Sequence, residues 1–435
     1  MSINVKELSD LFVVSKKKQV VNGSVSAAEN PATADYLIAF DEGSKIDISE
    51  TRENNQAEKT GYWEPTRIET GEKEAAGTLT QNKSQPATLA WAFAMMCNDH
   101  ADATAGTTGH VHTSQMTYGI EPAYFTAVHQ KGDIADMRRH VGVMIDTLGL
   151  TMTKGANLAA TVGVKGLGKT DNRRITEVVS ALDNVTTISY TNDIHDESVD
   201  NVTVWADTTG DGTPDKKVTV TVVDNTNNDL TITSLGGAGS SVDYHLVYTA
   251  DKLVTGYTWS DLSSISKIDE FRPRTRDIQL ILGGSYDGTD IVGGEIAKCE
   301  ISSVNYNYAA NSVSQKCFRG SSTAIDHSSH VDVGLINQTL TVDREIKDFI
   351  MDYWHESNMY PAFKIHAVSP VEFESGHNYE IEIIIPKVGF TDNQQNVVEG
   401  KWSTQSSLTI LKDDSVNDYP SIIFKVKNQE TGLFV

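Results

Sequence analysis

Hydrophobic and polar positions alternate cleanly along residues 143–165. Leu148, Leu150 and Met152 share one parity, and after "KGAN" the even positions Leu158, Ala160, Val162 and Val164 continue it. A period of two places such side chains on one face of a strand pair, so the segment predicts a β-hairpin turning at Lys154, Gly155, Ala156 and Asn157. A similar pattern recurs at 301–320. Ile301, Val304, Tyr306 and Tyr308 precede an "AANS" turn (Ala309, Ala310, Asn311), and Val313 and Cys317 follow it. Aligning 145–166 with 301–320 suggests a weak internal duplication, although any two hairpins of a β protein share this pattern.

Two stretches break the strand pattern. Ser84 and Pro86 can open a helix over residues 86–97 that carries Leu89, Trp91, Phe93, Met95 and Met96. In "DREIKDFIMDYWHES", Ile346, Phe349, Ile350, Tyr353 and Trp354 fall at helical spacing, with Asp343 as N-cap. Residues 1–35 read as a polar arm, and 184–256, a run of short strands with polar turns, as an inserted β module. The remainder divides into 36–183 and 257–435, and the class is mainly β: a barrel or sandwich with flanking helices and the inserted small β domain.

Composition narrows the function. Over 435 residues the formal charge is −23, hydrophobic residues are 39% and charged residues 22%. Such a surface repels nucleic acid unless its cations are concentrated. Nowhere do 18 apolar residues run together, and the first residues carry too short an apolar run for a signal peptide, so a soluble, unexported protein is expected. Cys97, Cys299 and Cys317 form no C-x-x-C. Cys299 and Cys317 flank the second turn symmetrically; free thiols are expected in a reducing cytosol, with a cross-strand disulfide as the alternative.

Three constellations could carry chemistry. "GVKGLGKT", Gly163–Thr170, satisfies the G-x-x-x-x-G-K-[ST] phosphate-binding pattern, and "DNRRITEVVSAL" after it could be the required helix. Parity argues against it, because Gly163 and Lys165 fall on the outward face of a hairpin strand, and no strand–helix alternation surrounds them. Nucleotide binding is therefore the remote reading. Asp207, Asp211 and Asp215 space oxygen ligands as calcium can use, but without a closing Glu, so a solvated turn competes. His100, His110 and His112 include an H-x-H pair without further ligands, so an exposed loop is the default. No G-x-S-x-G elbow or supported Cys/His arrangement is present, so no catalysis is expected.

The block "FTAVHQKGDIADMRRHVGVMIDTLGLTMTKGANLAATVGVKGLGKT" resembles the central region of tail tube proteins of tailed bacteriophages. "TRIETGEKEAAGTLTQNKSQPATLAWAFA" is similar to the segment before it, and "YEIEIIIPKVGFTDNQQNVVEGKWSTQSSLTILKDDSVNDYPSIIFKVKNQ" to the closing strands. The resemblance implies a structural virion protein, assembled in the host cytoplasm into stacked rings through which genome DNA passes. The rings would be trimers with pseudo-sixfold symmetry if the domain is duplicated and hexamers if not. It further implies tape-measure and tail-terminator partners, no membrane, no cofactor, an exterior position for the module, and the even face of the first hairpin toward the lumen wall. An anionic lining would keep DNA from sticking. The candidate assembly residues are Lys154, Gly155, Ala156, Asn157, Ala309, Ala310, Asn311, Lys169, Arg173 and Arg174. A capsid, decoration or baseplate protein is the alternative.

Overall fold

The computed structural model describes residues 10–19, 36–37, 40–41, 43–55, 65, 68–117, 119–131, 137–253, 257–259, 262, 268–297, 300–315, 328, 330–398, 400–414 and 417–431. Cys299 and Cys317 lie outside the described residues, as do 1–9 and 20–35 of the expected arm; Asp10–Val14 is no arm but a sheet strand whose Phe12, Val13 and Val14 are buried. The chain is mainly β, built from antiparallel sheets.

The predicted hairpin forms as read. Met137–Thr153 pairs with Ala159–Asn172 through Leu150↔Ala160 and Leu148↔Val162. These two strands sit inside an 11-stranded sheet. Eight of its strands lie side by side in the order Lys45–Asn54, Ile68–Gln81, Ala159–Asn172, Met137–Thr153, Ile301–Ala309, Asn337–Glu345, Lys401–Ile410 and Val388–Val398. Tyr124–Lys131, Asp10–Val14 and Tyr36–Leu37 branch from the first half of Met137–Thr153 and complete the eleven.

A seven-stranded sheet faces it, in the order Glu295–Ala297, Ile278–Leu282, Phe363–Glu374, His377–Ile385, Ile423–Asn428, Gly109–Gln115 and His100–Ala105. Between the sheets lies the predicted helix, Pro86–Cys97, with every residue buried. Its apolar residues run all round rather than along one stripe, as suits a helix covered on all sides. Pro86 starts it and Asn98, left-handed at φ 48, ends it. Trp91 meets Phe125 of the large sheet edge-on at 5.0 Å, while Phe93 stacks on Phe424 of the second sheet at 3.9 Å. The helix thus links both layers, and burying each such aromatic contributes on the order of 2–3 kcal/mol.

Several expectations are corrected. Ile301–Ala309 does not fold back at "AANS": its partners are Met137–Thr153 and Asn337–Glu345, and Val313–Gln315 pairs with His330–Asp332. Asp343 caps no helix but lies within Asn337–Glu345, where Gln338, Leu340, Val342 and Arg344 are buried on alternate positions. That period of two prevails over the helical spacing, and the helix is confined to Ile350–Glu356, with Phe349 and Tyr353 exposed. The segment after Thr170 is the strand Arg174–Leu182 rather than a helix; it pairs with Ser241–Lys252. The inserted module's own sheets therefore begin at Arg174, ten residues before the composition changes, and enclose a second core around Tyr244, Leu246 and Tyr248. Residues 36–183 and 257–435 share both large sheets and one core instead of forming separate barrels.

A repeat does exist, in another register. A strand pair (Lys45–Asn54 with Ile68–Gln81), the helix Pro86–Cys97, the hairpin His100–Gln115 and the hairpin Met137–Asn172 are followed by the same order. It comprises Ile301–Ala309 with Asn337–Glu345, the helix Ile350–Glu356, the hairpin Phe363–Ile385 and the hairpin Val388–Ile410. In the eight-strand path each half reads first strand, second strand, then the last hairpin reversed. The 145–166 hairpin is thus equivalent to 388–410, not to 301–320.

Candidate assembly surface

Strand alternation gives the eight-strand path two unlike faces. One row of paired residues, Gln81, Ala160, Leu150, Tyr306, Leu340, Leu408 and Phe390, crosses both repeats on the core side. Beside it, on the opposite face, runs Thr80, Thr161, Gly149, Asn307, Thr339, Thr409 and Gly389. The next row there is Ala159, Thr151, Asn305, Thr341, Ser407 and Asp392. Small uncharged residues dominate these two rows. The even face of the first hairpin, expected toward a lumen, instead packs into the core.

The two repeats join where Met137–Thr153 meets Ile301–Ala309 in seven antiparallel pairs, Ser303↔Thr153 to Ala309↔Thr147. The strands equivalent to these two, Val388–Val398 and Lys45–Asn54, are the ends of the path. Among the described residues neither has a strand on its outer side. An uncovered edge exposes backbone donors and acceptors and is a template for another strand.

The predicted assembly residues are not brought together. The Lys154–Asn157 turn is exposed but tied to its own chain: the Gly155 amide donates to Thr275 Oγ1 at 2.8 Å and the Lys154 amide to the Ser302 carbonyl at 2.9 Å. Gly155 has φ 84, which favours glycine. Ala309 ends its strand, the buried Ala310 donates its amide to the Asp146 carbonyl at 2.8 Å, and Asn311 Nδ2 donates to the Leu335 carbonyl at 2.7 Å. These contacts close the junction between repeats. Lys169 and Arg174 line a cleft of about 750 Å³.

Arg173 is buried, and its guanidinium donates to the Ala250 carbonyl at 2.9 Å and to Asp251 at 2.8 Å. It anchors the module rather than a second subunit. Arg173→Ala removes the buried bond to the Ala250 carbonyl, while Asp251 keeps His195 Nδ1 at 2.7 Å, and should cost about 1–3 kcal/mol. Hydrogen exchange should then accelerate first in Arg174–Leu182 and Ser241–Lys252; uniform exchange would contradict the anchoring role.

Asp207, Asp211 and Asp215 do not converge as a shared ion requires; the described clusters that do are His195/Asp196/Asp251 and His366/Glu380/Glu382. Asp207 accepts from the amides of Thr209, Gly210 and Gly212 at 3.1, 2.8 and 2.7 Å. Burial pushes its carboxyl up, but these amides outweigh burial and hold it below the ordinary aspartate range. Asp215 is also held low, first by the hydroxyl and then by the amide of Thr208. The three carboxylates organise their own turn.

His100, His110 and His112 belong to the hairpin His100–Gln115, not to a loop. Both imidazoles of the H-x-H pair share a side, their centroids 6.0 Å apart. His112 Nε2 lies 2.9 Å from the Glu430 carbonyl, so it carries the proton, and His112 Nδ1 accepts from His100 Nε2 at 3.4 Å. Burial, then His112, pushes His100 down to about 4. Burial also lowers His112, so His100 and His112 form a neutral hydrogen-bonded pair, while His110 Nδ1 lies 2.9 Å from Asp102.

Gly163–Thr170 lies inside a strand: Gly163–Gly166 is flanked by both Ile68–Gln81 and Met137–Thr153, and Lys169 and Thr170 pair with Val141 and His140, so this stretch runs as sheet rather than as a strand-to-helix loop. No helix among the described residues is long and apolar enough to cross a membrane. The two open edges escaped the sequence reading, although Ile46 and Ile48 already alternate in "KIDISETREN". Comparison with protein-family models and with curated proteins found no match.

Proposed function

We propose that this chain is a self-assembling structural protein of the tail-tube kind, whose copies join edge to edge into rings that stack into a conduit for DNA. The observation that carries this reading is the pair of equivalent open edges: the internal junction is a template for joining Val388–Val398 of one copy to Lys45–Asn54 of the next. Two repeats per chain favour three copies per ring, with pseudo-sixfold symmetry. The Thr/Ser/Asn/Gly face would then line the channel. The two rows themselves offer DNA neither cations to hold phosphates nor apolar surface to stack bases, and the same face's Lys45 and Lys165 are already engaged, by Asp47 and by the Ser312 carbonyl.

Negative-stain microscopy of concentrated protein should reveal hollow filaments; monomers or closed shells would overturn the reading. A proline pair tests the edge itself. Amides of successive strand residues point to opposite sides, so of Gln394→Pro and Gln395→Pro one spares every bond to Lys401–Ile410. That variant should keep the monomer's melting temperature and lose assembly. Filaments formed by it as by the unmodified chain would exclude this edge.

A further inference from the structure

The cleft beside the open edge concentrates positive charge in a chain of formal charge −23. Among the described residues its walls include Arg52 from the edge strand, Lys73, Arg138, Lys169 and Arg174, with Glu50 and Asp171 as the acids. Both carboxylates already have partners: Glu50 accepts from Arg52 at 2.9 Å, and Asp171 is paired with Arg139 outside the lining, at 2.5 Å. Arg138 and Arg174 therefore add positive charge that the cleft's own acids do not offset.

The location selects the occupant. Antiparallel docking puts the Asn54 end of Lys45–Asn54 against the Val388 end of Val388–Val398, as Ala309, the end of its strand, lies toward the opening side of Met137–Thr153 at the internal junction. At the Val388 end, Val388 pairs with Ile410, and the chain leaving Ile410 carries Asp413, Asp414 and Asp418. Asp414 and Asp418 are held only by surface pairs, to Lys387 at 2.5 Å and Lys412 at 2.6 Å. Exposed pairs of this kind contribute about 0–1 kcal/mol and exchange readily for better partners. Arginine forks are better partners for carboxylates.

We infer that the cleft formed by Arg52, Lys73, Arg138, Lys169 and Arg174 receives the carboxylates Asp413, Asp414 and Asp418 of a second copy of this chain. The contact is an electrostatic latch beside the edge seam, and it rests on the edge-to-edge reading above. It relieves, at one place, the repulsion between strongly acidic copies.

The experiment is a charge swap read by sedimentation and microscopy. Arg138→Glu with Arg174→Glu should lower assembly at least tenfold while the monomer's circular dichroism stays unchanged. Adding Asp414→Arg and Asp418→Arg to that chain should restore it. Raising salt from 50 to 500 mM should weaken assembly of the unmodified chain. If the unmodified chain assembles and the double glutamate variant assembles equally well, the latch is wrong and the edge reading stands. Loss without rescue means that another surface occupies the cleft and overturns the assignment to Asp413, Asp414 and Asp418. Tripolyphosphate bound by the monomer, with assembly of the double variant intact, marks a small-anion site and overturns it too. If the unmodified chain forms no assembly at all, the edge reading fails and the latch with it.

Discussion

Glu270→Gln should stabilise this protein above pH 8 and do nothing for it below about pH 4.5. Glu270 sits at the start of the buried helix: its Oε2 accepts from the Ala87 amide at 2.6 Å, while Oε1 is buried without a hydrogen bond. Its carboxyl is pushed up from 4.5 to about 8, mainly by burial. The Ala87 amide opposes the shift, Glu430 adds to it and Asn428 opposes it. Tyr379, whose hydroxyl is pushed up by burial and then by Glu270 and Glu430, is also near, as are Lys16, 3.1 Å from Glu430, and His112, at the Glu430 carbonyl.

An acid whose folded value is raised holds its proton longer folded than unfolded. Its contribution is complete below the unfolded value of 4.5, falls as pH rises toward 8, and is flat beyond. The full span corresponds to roughly 3–5 kcal/mol, less whatever bond to Ala87 the charged form gains. Glutamine keeps the shape of the protonated acid and removes the slope. Melting temperatures from pH 4 to 9 check this: a constant offset between the two proteins would assign the effect to packing instead of titration.

Gly168→Ala should be among the most damaging single-methyl changes in the chain, and Lys169→Ala beside it among the mildest. Gly168 has φ 78, and an added Cβ would stand 2.4 Å from the Lys73 carbonyl oxygen and 2.7 Å from the Glu74 amide nitrogen. Backbone cannot yield as a side chain can, so Ile68–Gln81 must separate from Ala159–Asn172. The combined strain and displacement should cost about 3 kcal/mol or more. Lys169 is half-buried at the surface, and its truncation should cost about 1 kcal/mol or less. Urea titrations of both variants give the comparison. A phosphate-binding loop would invert the functional order, with Lys169 essential for nucleotide affinity; binding lost in Lys169→Ala would reject the sheet role assigned to this string.

Gly163–Thr170 was legible as part of a hairpin strand because hairpin parity is local: on either side of the turn Leu148 to Met152 and Leu158 to Val164 alternate, and a period of two admits one buried face. The helix Pro86–Cys97 was equally legible, from its proline start and its run of strong helix formers. The helix expected from Asp343 misled at its start, because the alternation of Leu340, Val342 and Arg344 runs through Asp343 and the helical spacing begins only beyond it. Only the neighbouring strands, through Ser303↔Asp343 and Asp343↔Gln405, select between the two periods.

Alone, then, the sequence determined the β class, the first hairpin with its buried parity and the central helix. Each depends on contacts within a few residues or on composition. Tertiary structure decided the rest: which strands neighbour one another, that 36–183 and 257–435 share one core, that the repeat equates 145–166 with 388–410, and which edges stay open. It also gathered Arg52, Lys73, Arg138 and Arg174 into one cleft. Strand pairing brings together residues far apart along the chain, such as Leu150 and Tyr306. Alternation tells each strand which face to bury and leaves its neighbours unspecified.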